Sequence, residues 1–262
     1  MTIADTTDGQ QARRSGFAGK QDVPFCYDIR LSYKGGKFKV ILLYAADVNT
    51  LSDPALFEAA RLAVPEERRK KADRYRFDKD KRLCLAAGLL LKAGLRDFGA
   101  DPDEVPFSDE NGKPRLSSGI CFNLSHSGDY ALCAISDSDI GCDVETVKDF
   151  DLKLAARFCP EECEKILSCH GISERTDMFF RYWVLKESFM KLTGMGLRLP
   201  LNSFLISLSD PISVSREGDC NTYHFAEFTE IPGCRCALCS MEECSRTPLN
   251  FISLPDLLSE KI

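Results

Sequence analysis

The chain has 262 residues, of which 44% are hydrophobic and 28% are charged, and its formal net charge is −6 at pH 7. This balance is typical of a soluble globular protein, and the length accommodates one α/β unit or two small subdomains that pack closely. The negative net charge argues against a protein that binds nucleic acid non-specifically.

Residues 1–23 are polar and lack the apolar core of a secretory signal. The longest apolar run, Leu83 to Leu91, is far too short to span a bilayer. We therefore expect a cytoplasmic protein without a membrane segment. In that compartment the 13 cysteines are expected to be reduced thiols that act as small buried side chains.

The first half of the chain predicts strands and helices after a loose extension at residues 1–36. Apolar runs predict buried strands, longer patterns that end at glycine predict helices, and proline interrupts them. In chain order the predicted elements are a strand at 38–45, a helical stretch at 54–73 that Pro65 interrupts, a helix at 81–98, and strands at 120–123 and 130–135.

The second half predicts a similar mixture. Its elements in chain order are a strand at 140–144, helices at 151–158, 160–168 and 176–193, and strands at 204–208, 222–228 and 234–240. Because helices and strands alternate in each half, the expected fold class is α/β or α+β.

Two carboxylates lie on one face of the predicted strand at 140–144. Strand periodicity places Asp143 and Glu145 together, with Cys142 and Val144 on the other face. Neighbouring carboxylates repel each other, so they need a cation or a raised pKa to coexist, and oxygen ligands suit a hard ion such as Mg²⁺. The alternative is a pair of surface acids on an edge strand.

The predicted long helix carries a second set of charged residues. Trp183, Glu187 and Lys191 are four residues apart and share one helix face, with Lys186 at its flank. Glu187 is a candidate metal ligand or general base, and Lys191 is a candidate phosphate ligand. A solvated Glu–Lys pair is the alternative, although the single tryptophan on that face favours partial burial.

The segment Asn123 to Gly128 (NLSHSG) places small polar groups and a histidine at a strand end, where ligands often bind. Ser125 and His126 suggest a nucleophile and its base. Adjacent strand side chains point to opposite faces, however, so this pair is poorly placed for nucleophilic catalysis. A hydrogen-bonded turn is the alternative.

Two further motifs leave alternatives open. The stretch Glu66 to Arg82 contains nine Lys or Arg and five Asp or Glu, which is typical of a solvated helix face but also suits a phosphate or an acidic partner. Cys234, Cys236, Cys239 and Cys244 suggest zinc, yet strand alternation points Cys239 away from the first two, so core packing is favoured over a zinc site.

Four motifs in order, GKP, FNLSHSG, IGCDVE and WVLKESFMKLTGMGLRLPL, resemble those of the Sfp-type 4′-phosphopantetheinyl transferases. The resemblance covers about residues 39–258. It implies an α+β fold of two similar subdomains, at 37–139 and 140–262, with the site between them in a monomeric pseudo-dimer. It also implies transfer of the phosphopantetheine arm of coenzyme A to a serine of an acyl or peptidyl carrier protein, with release of adenosine 3′,5′-bisphosphate.

The same resemblance implies roles for individual residues. Asp143, Glu145 and Glu187 match the Mg²⁺ ligands, and Glu187 and Lys191 match the catalytic pair. The implied coenzyme A contacts are Lys70, Arg82, Lys113, Pro114, Ser125, His126, Lys186 and Lys191. The pattern departs at Glu67, where one close relative has lysine, and Arg68 or Arg69 is a candidate substitute.

Three other classes of function agree less well with the sequence. A carrier-binding scaffold without catalysis would be expected to lack one of the three acids. A nucleic-acid-binding module disagrees with the net charge of −6. A zinc hydrolase would need more histidine ligands than the three histidines provide.

Overall fold

The computed structural model describes residues 40–260. The predicted extension at 1–36 and the beginning of the predicted strand at 38–45 lie outside the described residues. Within residues 40–260, no helix is long and apolar enough to cross a membrane.

Six α-helices and eleven strands are found in residues 40–260. The helices are α1 (Pro54–Ala63), α2 (Glu66–Asp73), α3 (Asp78–Phe98), α4 (Pro160–Ser168), α5 (Ile172–Thr193) and α6 (Leu254–Ser259). The strands are β1 (Ile41–Asp47), β2 (Phe107–Ser108), β3 (Pro114–Arg115), β4 (Cys121–Ser127), β5 (Tyr130–Ser136), β6 (Ile140–Thr146), β7 (Phe204–Ser207), β8 (Ser213–Arg216), β9 (His224–Phe228), β10 (Cys234–Ser240) and β11 (Leu249–Phe251).

Local sequence signals account for most helix ends. Pro65 separates α1 from α2, and the Asp53 side chain accepts hydrogen bonds from the first backbone amides of α1. Gly99 and Gly194 end α3 and α5 in the left-handed conformation, with φ of 82° and 70°. Helices α3 and α5 begin three and four residues before their predicted starts, and residues 152–157 form a 3₁₀ helix.

Strand β4 is longer than predicted. The apolar pattern ends at Leu124, but the strand continues through Ser125, His126 and Ser127 because these residues pair in register with β5. The extension places the polar motif inside a strand instead of in a turn.

Two sheets form the centre of the fold, with strand orders β11-β1-β5-β4 and β6-β10-β9. The strands alternate between two faces. On β5, Cys133 and Ile135 pack toward α3, while Leu132 and Ala134 pack toward the second sheet. On β10, Leu238 faces the first sheet, and α5 packs on the opposite face. Helices therefore cover the outer face of each sheet, as expected for an α+β protein.

The end of the chain returns to the first half. Strand β11 pairs in parallel with β1, and Leu254 and Leu257 of α6 are buried in the core beneath α3. The sequence-based division assigned all of 140–262 to the second subdomain. The structure instead packs residues 249–259 on the first, because these short elements complete its sheet and cover its core.

Candidate active site

Helix α5 lies directly on β6 at Gly141. A Cβ atom built on Gly141 would lie 2.0 Å from the carbonyl oxygen of Ser188 and 2.5 Å from the backbone nitrogen of Leu192. Both atoms belong to the helix backbone, so no side chain fits between helix and strand. This close approach brings Glu187 and Lys191 to the carboxylates of β6.

Asp143 is the centre of the resulting cluster. Its Oδ1 accepts hydrogen bonds from Lys191 Nζ at 2.6 Å and from Ser125 Oγ at 2.8 Å. Its Oδ2 is buried and has no hydrogen-bond partner among the described residues. A buried carboxylate oxygen without a partner is costly in free energy, and it is an open position for a bound cation.

The neighbouring carboxylates of Glu187 and Glu145 lie where their charged forms are disfavoured. Burial raises the pKa of Glu187, the charges of Asp143 and Glu145 raise it further, and Lys191 opposes the shift. Burial likewise raises the pKa of Glu145, against the hydrogen bond that it accepts from Ser127 Oγ at 2.7 Å. Burial alone would lower the pKa of Lys191, but the adjacent Asp143 carboxylate reverses this and the net shift is upward. Three carboxylates thus face one ammonium.

This donor set fits a hard divalent cation that a substrate helps to hold. Within residues 40–260, no group of three or more His, Cys, Asp or Glu side chains is placed to hold a metal ion by itself. Mg²⁺ commonly keeps several waters and binds through one or two carboxylates together with substrate phosphates. Asp143, Glu145 and Glu187 could therefore provide the protein ligands, with Asp143 Oδ2 as the oxygen that lacks a partner.

A cavity of about 500 Å³ opens beside this cluster. Helices α2 and α3, the loop at 102–108 and β4 form its walls, and Lys191 reaches it from the second half. Its basic side chains are Arg68, Lys71, Lys92, His126 and Lys191, and its walls include apolar side chains such as Phe122. A concave site with apolar walls and a few convergent charged groups is typical of small-molecule binding.

Comparisons with known proteins agree on one family. A model of the 4′-phosphopantetheinyl transferase superfamily matches residues 139–239, and a model of the N-terminal part of 4′-phosphopantetheinyl transferases matches residues 52–138. The 4′-phosphopantetheinyl transferase Sfp of Bacillus subtilis strain 168 is 32% identical over 201 residues, which cover 74% of this chain and 90% of Sfp. Another Bacillus subtilis 4′-phosphopantetheinyl transferase is 37% identical over 160 residues, covering 59% of this chain and 71% of that protein.

The chain belongs to the Sfp-type 4′-phosphopantetheinyl transferases. It is thus an enzyme that transfers phosphopantetheine. Its fold is the α+β fold of that family, with the two similar subdomains that the resemblance implied. A vertebrate relative, the L-aminoadipate-semialdehyde dehydrogenase-phosphopantetheinyl transferase of Xenopus laevis, is 31% identical over 172 residues, covering 57% of this chain and 55% of that protein.

The transferase brings several predicted site residues together. Asp143, Glu145, Glu187 and Lys191 interact with one another, and Pro114, His126 and Lys191 line the cavity. Trp183 is partly buried and packs against Phe158 and Phe179, as its helix face predicted.

Lys70 on α2 and Arg82 on α3, the two predicted phosphate contacts, are not among the residues that line the cavity. Lys70 is exposed and pairs with Glu66 at 2.6 Å, while Arg68 and Lys71 are the basic residues of α2 that line the cavity. The Arg82 Nε is buried without a hydrogen-bond partner, but Arg82 is not among the cavity residues. At the departure from the family pattern, Glu67 lines the cavity with Arg68 beside it.

The structure contradicts Lys186 as a coenzyme A contact. Its side chain is fully buried and pairs with Glu162 at 2.8 Å in the core of the second half. Lys186 and Lys191 are five residues apart, about 140° around a helix, so they point to different surroundings. Only Lys191 faces the acids of β6.

The Lys113 side chain binds other protein groups and does not point into the cavity. It is only 6% exposed, and its Nζ donates to Asp139 Oδ1 at 2.9 Å and to the carbonyl oxygen of Leu192 at 2.7 Å. A cation at that position stabilises the C-terminal end of α5. Within the GKP motif, Pro114 lines the cavity and Lys113 supports the helix that carries Lys191.

Ser125 is buried and does not line the cavity. Its hydroxyl donates to Asp143 and accepts from Lys191 Nζ at 2.9 Å, whereas His126 on the opposite face is exposed at the cavity. The predicted separation of the two side chains is therefore confirmed. The predicted contact between Ser125 and coenzyme A does not agree with this position.

The sequence left Arg68 and Arg69 as alternatives at the Glu67 departure, and Arg68 is the one that lines the cavity. Sequence reasoning missed Lys71, because it is indistinguishable from its basic neighbours until the rotation of α2 is known. Asn123 and Ser127 lie in the recognised motif, at two-residue spacing from Ser125, and this spacing was the available signal. The cavity loop at 102–108 has no strong pattern apart from its prolines.

The cysteines of β10 behave as strand alternation predicted. Cys234 and Cys236 pack between the two sheets, together with Cys244. Cys239 packs on the other face, against the core under α5. The side chains of Cys236 and Cys239 therefore belong to different cores.

Proposed function

We propose that this transferase moves the 4′-phosphopantetheine arm of coenzyme A onto a serine of an apo acyl or peptidyl carrier protein, with Mg²⁺ as cofactor and adenosine 3′,5′-bisphosphate as the second product. The observation that supports this most is the position of the Asp143, Glu145, Glu187 and Lys191 cluster beside a cavity with basic residues. A polyanionic nucleotide with an apolar arm matches both parts of that site.

The basic residues account for binding. Lys71 and His126 lie near each other and near Lys191, since both Lys71 and Lys191 influence the pKa of His126. A ligand with phosphates at both ends of an adenosine can contact this group and Lys191 at once. Charge-assisted hydrogen bonds to phosphate are the strongest contacts that such side chains make.

The acids account for the chemistry. The carrier serine oxygen bonds to the phosphorus that bears the pantetheine arm, and the bond from that phosphorus to the bridging pyrophosphate oxygen breaks. Glu187 takes the serine proton, directly or through water, as a general base. Lys191 stabilises the charge that develops on the pyrophosphate. Mg²⁺, when bound by Asp143, Glu145 and Glu187, would neutralise the leaving group.

The assay is direct. The purified protein is incubated with coenzyme A, Mg²⁺ and a panel of apo carrier proteins, and the carriers are measured by intact mass spectrometry. We expect one carrier to gain one phosphopantetheine, only with a divalent cation present, and an equal amount of adenosine 3′,5′-bisphosphate to appear. Absence of any gain with carriers that the Bacillus subtilis Sfp modifies in parallel would contradict the proposal.

We also propose that the monomer is the active form, because β4, β6 and α5 of one chain supply the whole cluster. Sedimentation at assay concentration is expected to show a single chain of 29.3 kDa. Activity confined to a dimer fraction would contradict this.

A further inference from the structure

Strands β4 and β6 are edge strands of the two sheets, yet they meet beside the active site. An edge strand presents backbone N–H groups without strand partners. On β6 three of these groups are satisfied by side chains of β4. The contacts are Asn123 Oδ1 with Cys142 N at 3.0 Å, Ser125 Oγ with Val144 N at 3.4 Å, and Ser127 Oγ with Thr146 N at 3.1 Å.

The spacing explains the arrangement. Asn123, Ser125 and Ser127 are two residues apart and share one face of β4, and their partners on β6 are also two residues apart. We call these three side chains the β4 ladder. It joins the two sheets through side-chain acceptors and backbone donors, and it does so without a regular strand pairing between β4 and β6.

The two serines of the ladder make a further contact. Ser125 Oγ donates to Asp143 Oδ1 at 2.8 Å, and Ser127 Oγ donates to Glu145 Oε2 at 2.7 Å. A hydroxyl has one donor and two acceptor positions. Each serine therefore binds one carboxylate and the amide of the next residue, which fixes both the strand and its acid relative to β4.

We propose that Ser125 and Ser127, supported by Asn123, are positioning residues that hold β6 and aim the Asp143 and Glu145 carboxylates for cation binding. This inference rests on the proposed function in its reference to a cation. Ser125 then acts through Asp143 and not by touching coenzyme A. Groups that orient metal ligands in this way commonly change metal affinity by about tenfold or more when removed.

Ser127 gives the cleanest test because, unlike Asn123, it does not line the cavity and, unlike Ser125, it makes no hydrogen bond with Lys191. The alanine variants are Ser125→Ala and Ser127→Ala, and Ser127→Thr retains the hydroxyl. Ser136→Ala is the matched control, since Ser136 is fully buried on β5 and its hydroxyl contacts only the local turn at Ser138.

The first measurement is amide hydrogen exchange by NMR on the full chain, without substrate or metal. In the wild type, the amides of Cys142, Val144 and Thr146 are expected to be protected although no strand pairs with them. Ser127→Ala should speed exchange at Thr146 by about tenfold, and Ser125→Ala should do so at Val144. The amide of Ala237, on β10, is the internal reference. Fast exchange of the three amides in the wild type would overturn the proposal even if no variant folds.

The second measurement is Mn²⁺ binding at a fixed, saturating concentration of coenzyme A and without carrier protein, so that no transfer occurs, followed by the EPR signal of free Mn²⁺. Ser127→Ala is expected to weaken binding by about tenfold, while Ser127→Thr and Ser136→Ala bind like the wild type. In steady-state kinetics, Ser127→Ala should have a lower kcat and need a higher Mg²⁺ concentration for half-maximal activity, while its KM for coenzyme A stays unchanged. Equal Mn²⁺ binding by the alanine and threonine variants would contradict the positioning role.

Failure of the proposed function has a different signature. A wild type that transfers no phosphopantetheine would refute the reaction, while hydrogen exchange and Mn²⁺ binding would still decide the role of the serines. A wild type that transfers normally, with Ser127→Ala unchanged in exchange and in Mn²⁺ binding, would refute only the positioning role.

Discussion

The Lys186 ammonium lies 2.8 Å from a carboxylate oxygen of Glu162, and both side chains are almost completely buried. The ammonium also donates to the carbonyl oxygens of Leu201 and Phe204 at 2.8 and 2.7 Å. Glu162 in turn accepts from backbone amides before α4 and on β7. This pair therefore links α4, α5 and β7 in the core of the second half, and it is separate from the lysine that faces the acids of β6.

Removal of Lys186 should affect stability and not coenzyme A binding. Burial lowers the pKa of Lys186 and Glu162 opposes the shift, so the two charges depend on each other. Lys186→Met leaves Glu162 buried without its counter-ion, which typically costs about 3–5 kcal/mol. Urea unfolding, followed by the fluorescence of Trp183, measures the loss.

The comparison is Lys191→Met, which should lose transfer activity whatever its stability, because Lys191 faces the acids of β6. If Lys186→Met is as stable as the wild type and has a raised KM for coenzyme A, then Lys186 contacts the substrate and its pair with Glu162 does not stabilise the core.

Gly141→Ala should prevent the close contact of α5 with β6. The new methyl would lie within 2.5 Å of two backbone atoms of the helix, and backbone cannot move aside as a flexible side chain can. Overpacking of this kind costs about 3 kcal/mol or more. We expect a large decrease in the free energy of unfolding, with loss of transfer.

Gly88→Ala is the comparison for Gly141→Ala. Its new methyl would meet only side-chain atoms of Arg68 and Val64, at 3.0 and 3.1 Å, and alanine is favoured in a helix by about 1 kcal/mol. Its stability should stay close to that of the wild type. Equal stability of both variants would show that helix and strand are not in tight contact.

Glu187→Gln should nearly abolish transfer while the fold is retained. The amide has the same shape but cannot accept the serine proton, and a general base typically contributes about 10²–10⁴ in rate. Single-turnover transfer with saturating coenzyme A and carrier measures the chemical step. Glu174→Gln, in the exposed first turn of α5, is the control and should react normally. Normal turnover by Glu187→Gln would remove Glu187 from the mechanism.

The sequence predicts those features of the site that depend only on helix or strand periodicity, namely which side chains share a face. The spacing of Asp143 and Glu145, and of Trp183, Glu187 and Lys191, indicated shared faces that the structure shows. Whether a lysine faces solvent, substrate or core depends on how helices and strands pack together. That is why Lys186 and Lys113 were assigned to coenzyme A, although one completes a buried ion pair and the other supports the end of α5.

The same limit applies to the fold. Strands with strong apolar runs, such as β1 and β10, were predicted close to their observed positions. Strand β11 and helix α6 have short, weak patterns, and they form because β1 and the core under α3 provide partners. The β4 ladder joins residues about 19 positions apart in sequence, and a pattern within one segment cannot show such a contact.

His126 should take up a proton when coenzyme A binds. Loss of hydration and the nearby Lys191 charge lower the pKa of His126 in the free protein below 6.5, so the ring is mostly neutral at pH 7. A 3′-phosphate beside the ring favours its charged form and raises that pKa. At a pH between the His126 pKa of the free protein and the higher His126 pKa of the coenzyme A complex, the complex binds more protons than the free protein. The affinity for coenzyme A should therefore fall as the pH rises through this range.

Calorimetry at pH 6.5–7.0 in two buffers with different ionisation enthalpies measures this uptake. His126→Ala with coenzyme A shows how much the phosphate itself contributes, and 3′-dephospho-coenzyme A with the wild type removes the phosphate. We expect proton uptake to disappear with dephospho-coenzyme A and KM for coenzyme A to rise in His126→Ala. Equal weakening of both ligands by His126→Ala would show that the ring does not contact the 3′-phosphate.

A surface between α2 and α3 combines an exposed aromatic ring with arginines that lack acidic partners. Phe77 is 62% exposed, and the Arg76 guanidinium lies 5.5 Å from the centre of its ring. Nearby Lys70, Lys79 and Lys81 pair with carboxylates, whereas Arg74 and Arg76 have no ion pair among residues 40–260. We call Arg74, Arg76 and Phe77 the Arg–Phe patch. Exposed aromatic and arginine side chains are typical of binding hot spots.

The Arg–Phe patch is expected to bind the carrier protein, which the family resemblance implies is acidic near its acceptor serine. Because the enzyme is net negative, attraction must come from a local patch, and charge pairs on an exposed surface are screened over about 8–10 Å at moderate salt. Raising the NaCl concentration should therefore increase KM for the carrier more than KM for coenzyme A, whose phosphates we propose to bind in the partly enclosed cavity. Arg74→Glu and Arg76→Glu should do the same at low salt, and Phe77→Ala should raise KM for the carrier at every salt concentration. Lys165→Glu, an exposed charge reversal on α4, is the control. Carrier kinetics that depend on neither salt nor these three variants would place the carrier on another surface.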